Sequence, residues 1–240
     1  MIHYERQQKI MNYLKDKHFA SVKSLSKIVW SSESSVRRDI KALELKGLLK
    51  QIYGGVVLAE YENAVVPVDL RDHSNSQIKE KLAKRAAGMI FDGATVIMDG
   101  SSTVRRIVKY IGELHDLKII TNNVGILQEC TNPNVKIYCT GGLFLRSSNI
   151  FVGSTAEKYI NGINADILFF SSQAISNEGE ISDTSEEETS LRKLMLSRSQ
   201  RKIFLCDSSK IGQKKMFFLC EKDDIDEIIC DVEFPWKFSH

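Results

Sequence analysis

The sequence lacks long apolar runs, paired cysteines and clustered histidines. No stretch approaches the roughly 18 consecutive apolar residues of a membrane-spanning helix, and the opening MIHYERQQKI is too polar for a secretory signal. The five cysteines form no CxxC pair, and the five histidines are scattered without metal-ligand spacing. We therefore expect a cytoplasmic protein with no membrane segment, no metal, no cofactor, and reduced thiols buried in strands.

Charge is divided unevenly along the chain. Residues 1–57 carry eleven Lys and Arg against five Asp and Glu, a net charge of +6, whereas the remainder carries 22 basic and 26 acidic residues, a net charge of −4. A basic segment ahead of a mildly acidic body indicates that only the first part meets a polyanion.

The basic segment has the apolar spacing of three short helices. In the third helix, Val36, Ile40 and Leu43 are spaced four and three apart and form one buried stripe. Ser21 and Ser32 can cap the second and third helices. Asp39 lies near the inner side, where it can pair with a basic residue. The polar residues that fall away from the stripe are Ser34, Arg37, Arg38 and Lys41.

The run LLKQIYGGVV follows the third helix and predicts two strands joined by a tight turn, in which Gly54 and Gly55 permit positive φ angles. Three helices and a hairpin form a winged helix-turn-helix, whose third helix can lie in a DNA major groove. The alternative is that RRD is merely the solvated face of an amphipathic helix, but the order of elements and the concentrated charge favour DNA binding. The residues expected to contact DNA are Ser32, Ser34, Ser35, Arg37, Arg38, Lys41, Lys50 and Tyr53.

A polar segment, residues 58–76, reads as a linker between a DNA-binding domain of residues 1–57 and a second domain of residues 77–240. From residue 88 onward, apolar runs such as ATVIMD, LKIITN, DILFFSS and RKIFLCD alternate with helix-like segments. Strands with little internal polarity, separated by helices, indicate an α/β fold with a mostly parallel sheet covered on both faces.

Small polar residues or glycines follow four of these strands, and ligands gather at the carboxyl ends of parallel strands. Hydroxyls and free amides at a helix start form an anion site, to which a lysine adds charge for a phosphate. Taken singly, DGSST is equally consistent with a helix cap, the GG pair is usually a turn, and Lys210 is more often a solvated side chain. Their recurrence after successive strands favours a common pocket formed by Asp99, Ser101, Ser102, Thr103, Thr121, Asn122, Gly141, Gly142 and Lys210.

The segments ERQQKIMNYL, SSVRRDIKALELKGLL and IYGG resemble the amino-terminal domain of DeoR-type bacterial repressors. The elements DGSST, TN, the GG pair, VGSTAE, EGEIS, the EEE run and DSSKIG resemble the effector domain of the same family, which is similar in fold to ribose-phosphate and glucosamine-phosphate isomerases. The resemblance implies a repressor that binds double-stranded operator DNA and a phosphorylated sugar. It assigns Ser101, Ser102 and Thr103 to the phosphate. The residues that it places on the sugar side are Asp99, Asn122, Gly141, Gly142 and Lys210.

The chain also departs from the family in this region. Ser171 and Ala174 stand where members usually have glycines, and these side chains can narrow the pocket and change which ligand enters. Arg71, Asn75 and Lys79 match family positions that lead into the second domain.

Three function classes compete at this point: a ligand-responsive DNA-binding repressor, a sugar-phosphate isomerase with an added domain, and a DNA-binding protein whose second domain only oligomerises. An isomerase needs a positioned general base, for which Asp99, Asp207, Glu186 and Glu188 are the available carboxylates. The basic winged helix has no purpose in an isomerase, so the repressor is favoured. Because one winged helix buries little surface on DNA, we also expect a homo-oligomer that binds paired half-sites.

Overall fold

The computed structural model describes residues 3–52, 54–59 and 75–234, and the chain divides into two compact units, Met1–Val66 and Pro67–His240. Tyr53 and Arg71, which are among the residues singled out above, lie outside the described residues. Within the described ranges, no helix combines the length and the apolar character that crossing a bilayer requires.

The first unit consists of three helices and a small sheet. Its elements in chain order are α1 (His3–Lys17), β1 (Phe19–Ala20), α2 (Val22–Ile28), α3 (Glu33–Leu45), β2 (Leu49–Ile52) and β3 (Gly55–Leu58). The antiparallel sheet has the order β1-β3-β2. The predicted stripe of Val36, Ile40 and Leu43 is buried in the core, which confirms the inner face of α3.

Serine caps fix where two of these helices begin. The Ser21 hydroxyl accepts a hydrogen bond from the Ser24 amide at 3.0 Å, and the Ser32 hydroxyl accepts one from the Ser35 amide at 3.3 Å. Each bond satisfies an amide that has no partner inside the helix. Both predicted caps are confirmed.

The hairpin between β2 and β3 needs its two glycines for different reasons. Gly54 has a φ of +88°, as predicted for the turn. Gly55 does not have a positive φ, so that part of the prediction is wrong. Gly55 instead lies in β3 against β1, where an added Cβ would come within 2.2 Å of the Ala20 carbonyl oxygen. The close approach of the two strands therefore requires glycine at this position.

The second unit is built on a six-stranded parallel sheet of order β14-β12-β9-β4-β5-β6. Its strands are β4 (Thr95–Met98), β5 (Lys118–Thr121), β6 (Lys136–Cys139), β9 (Ala165–Phe170), β12 (Ser199–Cys206) and β14 (Glu227–Cys230). Two apolar clusters, one centred on Phe169 and Val96 and the other on Phe170 and Phe204, form the core of the unit. The prediction of a mostly parallel α/β sheet is confirmed.

The helices of the second unit are α4 (Ser76–Ala87), α5 (Ser102–Arg105), α6 (Val124–Glu129), α7 (Ser154–Asn161) and α8 (Glu186–Ser197). Helix α5 continues as a 3-10 helix, Arg106–Tyr110. Two small antiparallel sheets that the sequence did not predict complete the unit. One is the hairpin of β7 (Leu143–Leu145) and β8 (Ile150–Val152), and the other joins β10 (Ala174–Ile175), β11 (Glu180–Asp183) and β13 (Phe217–Glu221).

The five cysteines are all free thiols, but they are not all buried in strands. Cys206 and Cys220 are buried in strands as predicted, whereas Cys139 and Cys230 are half-buried. The difference arises because β6 and β14 are the two edge strands of the large sheet. Cys130 is the residue that ends helix α6 and lies outside the strands.

Candidate functional site

The exposed start of α3 presents a row of hydroxyls and two arginines. The Ser32 hydroxyl lies 3.0 Å from the hydroxyl of Ser34 and 3.0 Å from that of Ser35, so three serines cluster at the first turn. Arg38 donates from Nε to the Ser34 carbonyl at 3.4 Å and from Nη2 to the Ser35 hydroxyl at 3.4 Å. These bonds draw the guanidinium back toward the helix start, where a groove-binding helix meets DNA.

The remaining predicted DNA contacts of the first unit differ in their surroundings. Arg37 is exposed and forms an i,i+4 ion pair with Glu33 at 3.8 Å. Because the distance is long and the pair is exposed, a DNA phosphate can readily replace Glu33 as the partner of Arg37. Lys41 is exposed on α3, and Lys50 is half-buried on β2. Next to Lys50, the Gln51 amide donates to the Glu44 carboxylate at 2.9 Å and so links β2, the first strand of the wing hairpin, to α3. That backbone hydrogen bond is the main reason why the pKa of Glu44 lies below its ordinary value.

In the second unit, the parallel sheet brings the predicted ligand residues to one edge. Asp99 follows β4, Asn122 follows β5 and Ser171 follows β9, and these strands are direct neighbours in the order β9-β4-β5. Asp207 follows β12, which is the neighbour of β9 on the other side. The carboxyl ends of four adjacent strands therefore contribute polar residues to the same edge.

Asp99 is buried, and both of its carboxylate oxygens are engaged. Oδ1 accepts from the Ser101 amide at 2.9 Å, and Oδ2 accepts from the Ser171 amide at 3.1 Å. The Arg192 guanidinium lies 3.0 Å from Oδ2. Burial raises the pKa of Asp99, an effect that Arg192 opposes. Asp99 thus joins the loop after β4 to the loop after β9.

Arg192, on α8, forms the centre of a buried ion cluster. Besides Asp99, it contacts Asp183 through Nη1 at 2.8 Å and Glu188 through Nη2 at 3.0 Å. Burial by itself lowers the pKa of Arg192, but the three carboxylates raise the pKa more, so this arginine stays charged. Ser148 donates to the second oxygen of Glu188 at 2.9 Å, so the cluster also holds the β7-β8 hairpin.

The hydroxyl-rich turn after β4 has a buried lysine beside it. Ser101 caps α5 by accepting from the Val104 amide at 3.1 Å, and Ser101, Ser102 and Thr103 are all buried. Lys79, on α4, is only 5% exposed, and its Nζ lies 3.2 Å from the Ser102 hydroxyl. Positive charge and hydroxyl groups are therefore brought together at this turn.

The residues that follow β5 and β6 also lie at the carboxyl ends of the strands. Thr121 is buried and accepts from the Asn123 amide at 3.0 Å. Asn122 donates from Nδ2 to the Phe151 carbonyl at 2.9 Å, and its buried Oδ1 has no donor among the described residues. Gly141 and Gly142 both have positive φ, and an added Cβ at Gly142 would come within 2.6 Å of the Val152 carbonyl oxygen.

Lys210 lies at the far end of the same edge, after β12. Its Nζ lies 3.5 Å from Oε1 of Gln173, which comes from the loop after β9. Asn75, directly before α4, donates from Nδ2 to Asp207 at 2.9 Å. Of the two positions at which the chain departs from the glycine pattern, Ser171 contributes its amide to Asp99, and Ala174 is fully buried in β10.

Two family models match the two units in turn. The model described as "DeoR-like helix-turn-helix domain" matches residues 6–62, and the model described as "DeoR C terminal sensor domain" matches residues 74–232. The chain belongs to the DeoR family. It is accordingly a DNA-binding transcriptional regulator and not an enzyme, as predicted.

Relatives of this DeoR-family regulator align over nearly the whole chain. The transcriptional regulator GolR of Listeria innocua is 32% identical over 96% of this chain and 91% of its own length. The lactose phosphotransferase system repressor of Staphylococcus aureus is 30% identical over 84% of this chain and 81% of its own. Among solved structures, ribose 5-phosphate isomerase from Plasmodium falciparum has a TM-score of 0.42 at 17% identity, over 57% of this chain and 53% of its own.

The sequence of this DeoR-family regulator predicts most of the polar residues at the strand ends and two carboxylates of the ion cluster, Asp99 and Glu188, but not the arginine that pairs with them. No motif of the sequence marks Arg192, although the EEE run precedes it on α8. Lys79 and Asn75 match family positions, but the sequence predicts no role for them. A signal existed for Lys79, because a lysine on the inner face of an amphipathic helix is seldom buried without a partner.

Proposed function

We propose that this DeoR-family regulator represses sugar-catabolism genes, and that a phosphorylated sugar or sugar derivative modulates its binding to operator DNA. The observation that carries the proposal is the buried Lys79 ammonium, 3.2 Å from the Ser102 hydroxyl at the carboxyl edge of the sheet. A buried charge beside hydroxyls suits a phosphate, which accepts charge-assisted hydrogen bonds from both. The Staphylococcus aureus relative, a lactose phosphotransferase system repressor, supports the sugar class.

On the DNA side, the proposed contacts are those expected from the sequence. The exposed first turns of α3 reach base edges and phosphates, and the wing follows the backbone. The arginines at positions 37 and 38 are exposed and weakly paired, which leaves them available to a nucleic acid. The proposed set is Ser32, Ser34, Ser35, Arg37, Arg38, Lys41, Lys50 and Tyr53.

On the ligand side, we assign the phosphate to Ser101, Ser102, Thr103 and, in addition, Lys79. The buried Oδ1 of Asn122 lacks a donor among the described residues, so a sugar hydroxyl is a suitable partner for it. Asp99 has both oxygens engaged, so its proposed role is to hold the loops around the sugar rather than to exchange protons. Thr121, Gly141, Gly142 and Lys210 complete the proposed lining.

The proposal also includes the organisation expected from the sequence: a DNA-binding domain of residues 1–57, a linker of residues 58–76 and a ligand-binding domain of residues 77–240. We propose that the protein acts in the cytoplasm, where it reaches the chromosome. We further propose that it works as a homo-oligomer, because paired half-sites supply the specificity that one winged helix lacks.

Calorimetric titration tests whether a phosphorylated sugar binds. Hexose, pentose and triose phosphates are compared with the corresponding free sugars and with inorganic phosphate, each in the presence and absence of operator DNA. A binding sugar phosphate at 100 times its Kd should add about 2.7 kcal/mol to the free energy of unfolding. Operator must change the affinity for the ligand by the same factor by which the ligand changes the affinity for operator.

A matched pair of variants locates the phosphate. Lys79→Met should abolish most of the binding, because the phosphate loses its buried charge partner. Lys81→Met removes an exposed lysine from the same helix and should leave binding unchanged. If no sugar phosphate binds, the ligand proposal is wrong, and the second unit is left with oligomerisation alone.

A further inference from the structure

Trp30 occupies an unusual position at the end of helix α2. The Ser31 amide donates to the Ser26 carbonyl at 3.0 Å, and the Trp30 amide donates to the Lys27 carbonyl at 3.4 Å. These two bonds form a Schellman motif, which places Trp30 in the left-handed position that normally holds glycine or asparagine. Its φ is +48°, as the motif requires.

This position is unfavourable for tryptophan on two counts. The left-handed conformation brings a Cβ close to the following carbonyl, a strain that glycine avoids. The side chain is also 89% exposed, the highest value of any large hydrophobic side chain in the described residues. Packing within the described part of the unit therefore does little to offset the strain. Strained residues of this kind concentrate at functional surfaces.

The turn that contains Trp30 joins the two helices of the helix-turn-helix. Trp30 lies two residues before Ser32, the cap of α3, and α2 ends at Ile28. In this motif the first helix crosses the DNA backbone and the second inserts its first turns into the major groove. The turn between the two helices therefore lies beside the sugar-phosphate backbone at the edge of the groove.

We propose that Trp30 contacts the DNA backbone, with its indole N–H donating to a phosphate oxygen and its ring packing on deoxyribose. An indole suits this environment because it has an apolar face and a single donor. DNA is favoured over a protein partner because the surrounding unit is strongly basic, at +6 over residues 1–57, and Lys27 beside the turn is exposed. The proposal rests on α3 being the helix that enters the groove.

Substitution at Trp30 should move stability and DNA affinity in opposite directions. Trp30→Gly and Trp30→Asn relieve the left-handed strain and should slow amide exchange in residues 3–59 of the full-length protein by about fivefold. The same variants should bind every duplex about tenfold more weakly, because a hydrogen bond to a charged phosphate is lost. Operator and random DNA should be affected alike, and the salt slope should not change, because indole carries no charge.

Arg38→Ala separates this proposal from the assignment of the recognition helix. If Arg38→Ala weakens operator binding and Trp30→Gly does not, Trp30 is not a DNA contact and the helix assignment stands. If neither variant weakens binding, α3 is not the recognition helix. Fluorescence gives an independent reading, since the chain has only two tryptophans and Trp236→Phe leaves Trp30 as the sole emitter. Operator should quench this emission and shift it; emission unchanged at saturating DNA would overturn the proposal.

Discussion

Arg6 on α1 donates from Nη2 to Oδ1 of Asp39 on α3 at 3.2 Å, and its Nε also donates to Oδ2 of the same carboxylate. The Asp39 side chain is fully buried, so this two-pronged pair fixes α3 against α1. The inner position predicted for Asp39 and its pairing with a basic residue are both confirmed.

Removing Arg6 should therefore destabilise the first unit. Arg6→Ala leaves a buried carboxylate without its main donors, and we expect a loss of about 2–3 kcal/mol in the free energy of unfolding. Asp39→Ala should cost less, because the Arg6 guanidinium can then turn toward water. Urea unfolding of both single variants and the double variant measures the coupling. Additive effects would show that the pair contributes no stability.

Arg38 should contribute to the recognition of operator sequence. Arg38→Ala removes an exposed guanidinium at the first turns of α3, and we expect a loss of about 1–3 kcal/mol in specific binding. Quantitative footprinting on operator and on a scrambled duplex provides the measurement. An equal loss on both duplexes would make Arg38 a phosphate contact without a role in sequence reading.

Lys50 should behave differently, because a residue of the wing strand follows the backbone. Lys50→Ala should weaken binding to operator and to random DNA by the same factor and lower the slope of log K against log salt by about one unit. A salt titration with both duplexes tests this. An unchanged slope would show that Lys50 neutralises no phosphate.

The cluster around Arg192 should be essential to the second unit. Arg192→Met leaves three buried carboxylates without a cation, and we expect a loss of about 3–5 kcal/mol in stability. Arg201→Met is the matched control, because Arg201 lies on the surface with Glu227 at 2.9 Å. The control should cost about 1 kcal/mol or less.

The Arg192→Met defect should also depend on pH in a defined direction. Burial already raises the pKa of Asp99, and loss of the guanidinium raises the pKa further. A carboxyl with a raised pKa in the folded state favours folding when protonated, so the stability deficit of the variant relative to wild type should be smallest below about pH 4 and grow as the pH rises above it. A deficit relative to wild type that stays constant across pH would point to a packing defect instead.

The cysteines that lie in strands should differ in their reactivity toward an alkylating reagent. Burial raises the pKa of Cys220 to about 12, so this thiol stays protonated and inert at neutral pH. Cys230 faces Cys206 across β12 and β14, and the Cys206 hydrogen bond lowers the pKa of Cys230. Iodoacetamide at pH 8 should therefore alkylate Cys230 well before Cys220, as followed by peptide mass spectrometry. In denaturant the alkylation rates of the five cysteines should converge. Equal rates for Cys220 and Cys230 in the folded protein would contradict the expected difference in their pKa.

The sequence was informative where structure is repetitive or local. The stripe of Val36, Ile40 and Leu43 follows from helical period alone, and the caps at Ser21 and Ser32 follow from the chemistry of the first turn. The inner strands of the parallel sheet are recognisable because strands covered on both faces are apolar throughout.

Relationships between distant segments were not recoverable in this way. Arg192 meets Asp99 only because the fold brings α8 to the loop after β4, and no periodicity links residues 93 positions apart. Lys79 meets Ser102 for the same kind of reason. The sequence does not predict the left-handed backbone of Trp30, because neither glycine nor asparagine stands there to mark it.

The hydrogen bond from Asn75 to Asp207 limits how strongly the proposed ligand can change DNA binding through this contact. Asn75 directly precedes α4, and Asp207 follows β12 at the strand ends where the ligand is proposed to bind. Any ligand that displaces Asp207 must either break this bond or move the start of α4 with it. A bond of this kind contributes roughly 1 kcal/mol, which is about a fivefold change in an equilibrium constant. A response of operator affinity much larger than fivefold therefore requires more than this one link.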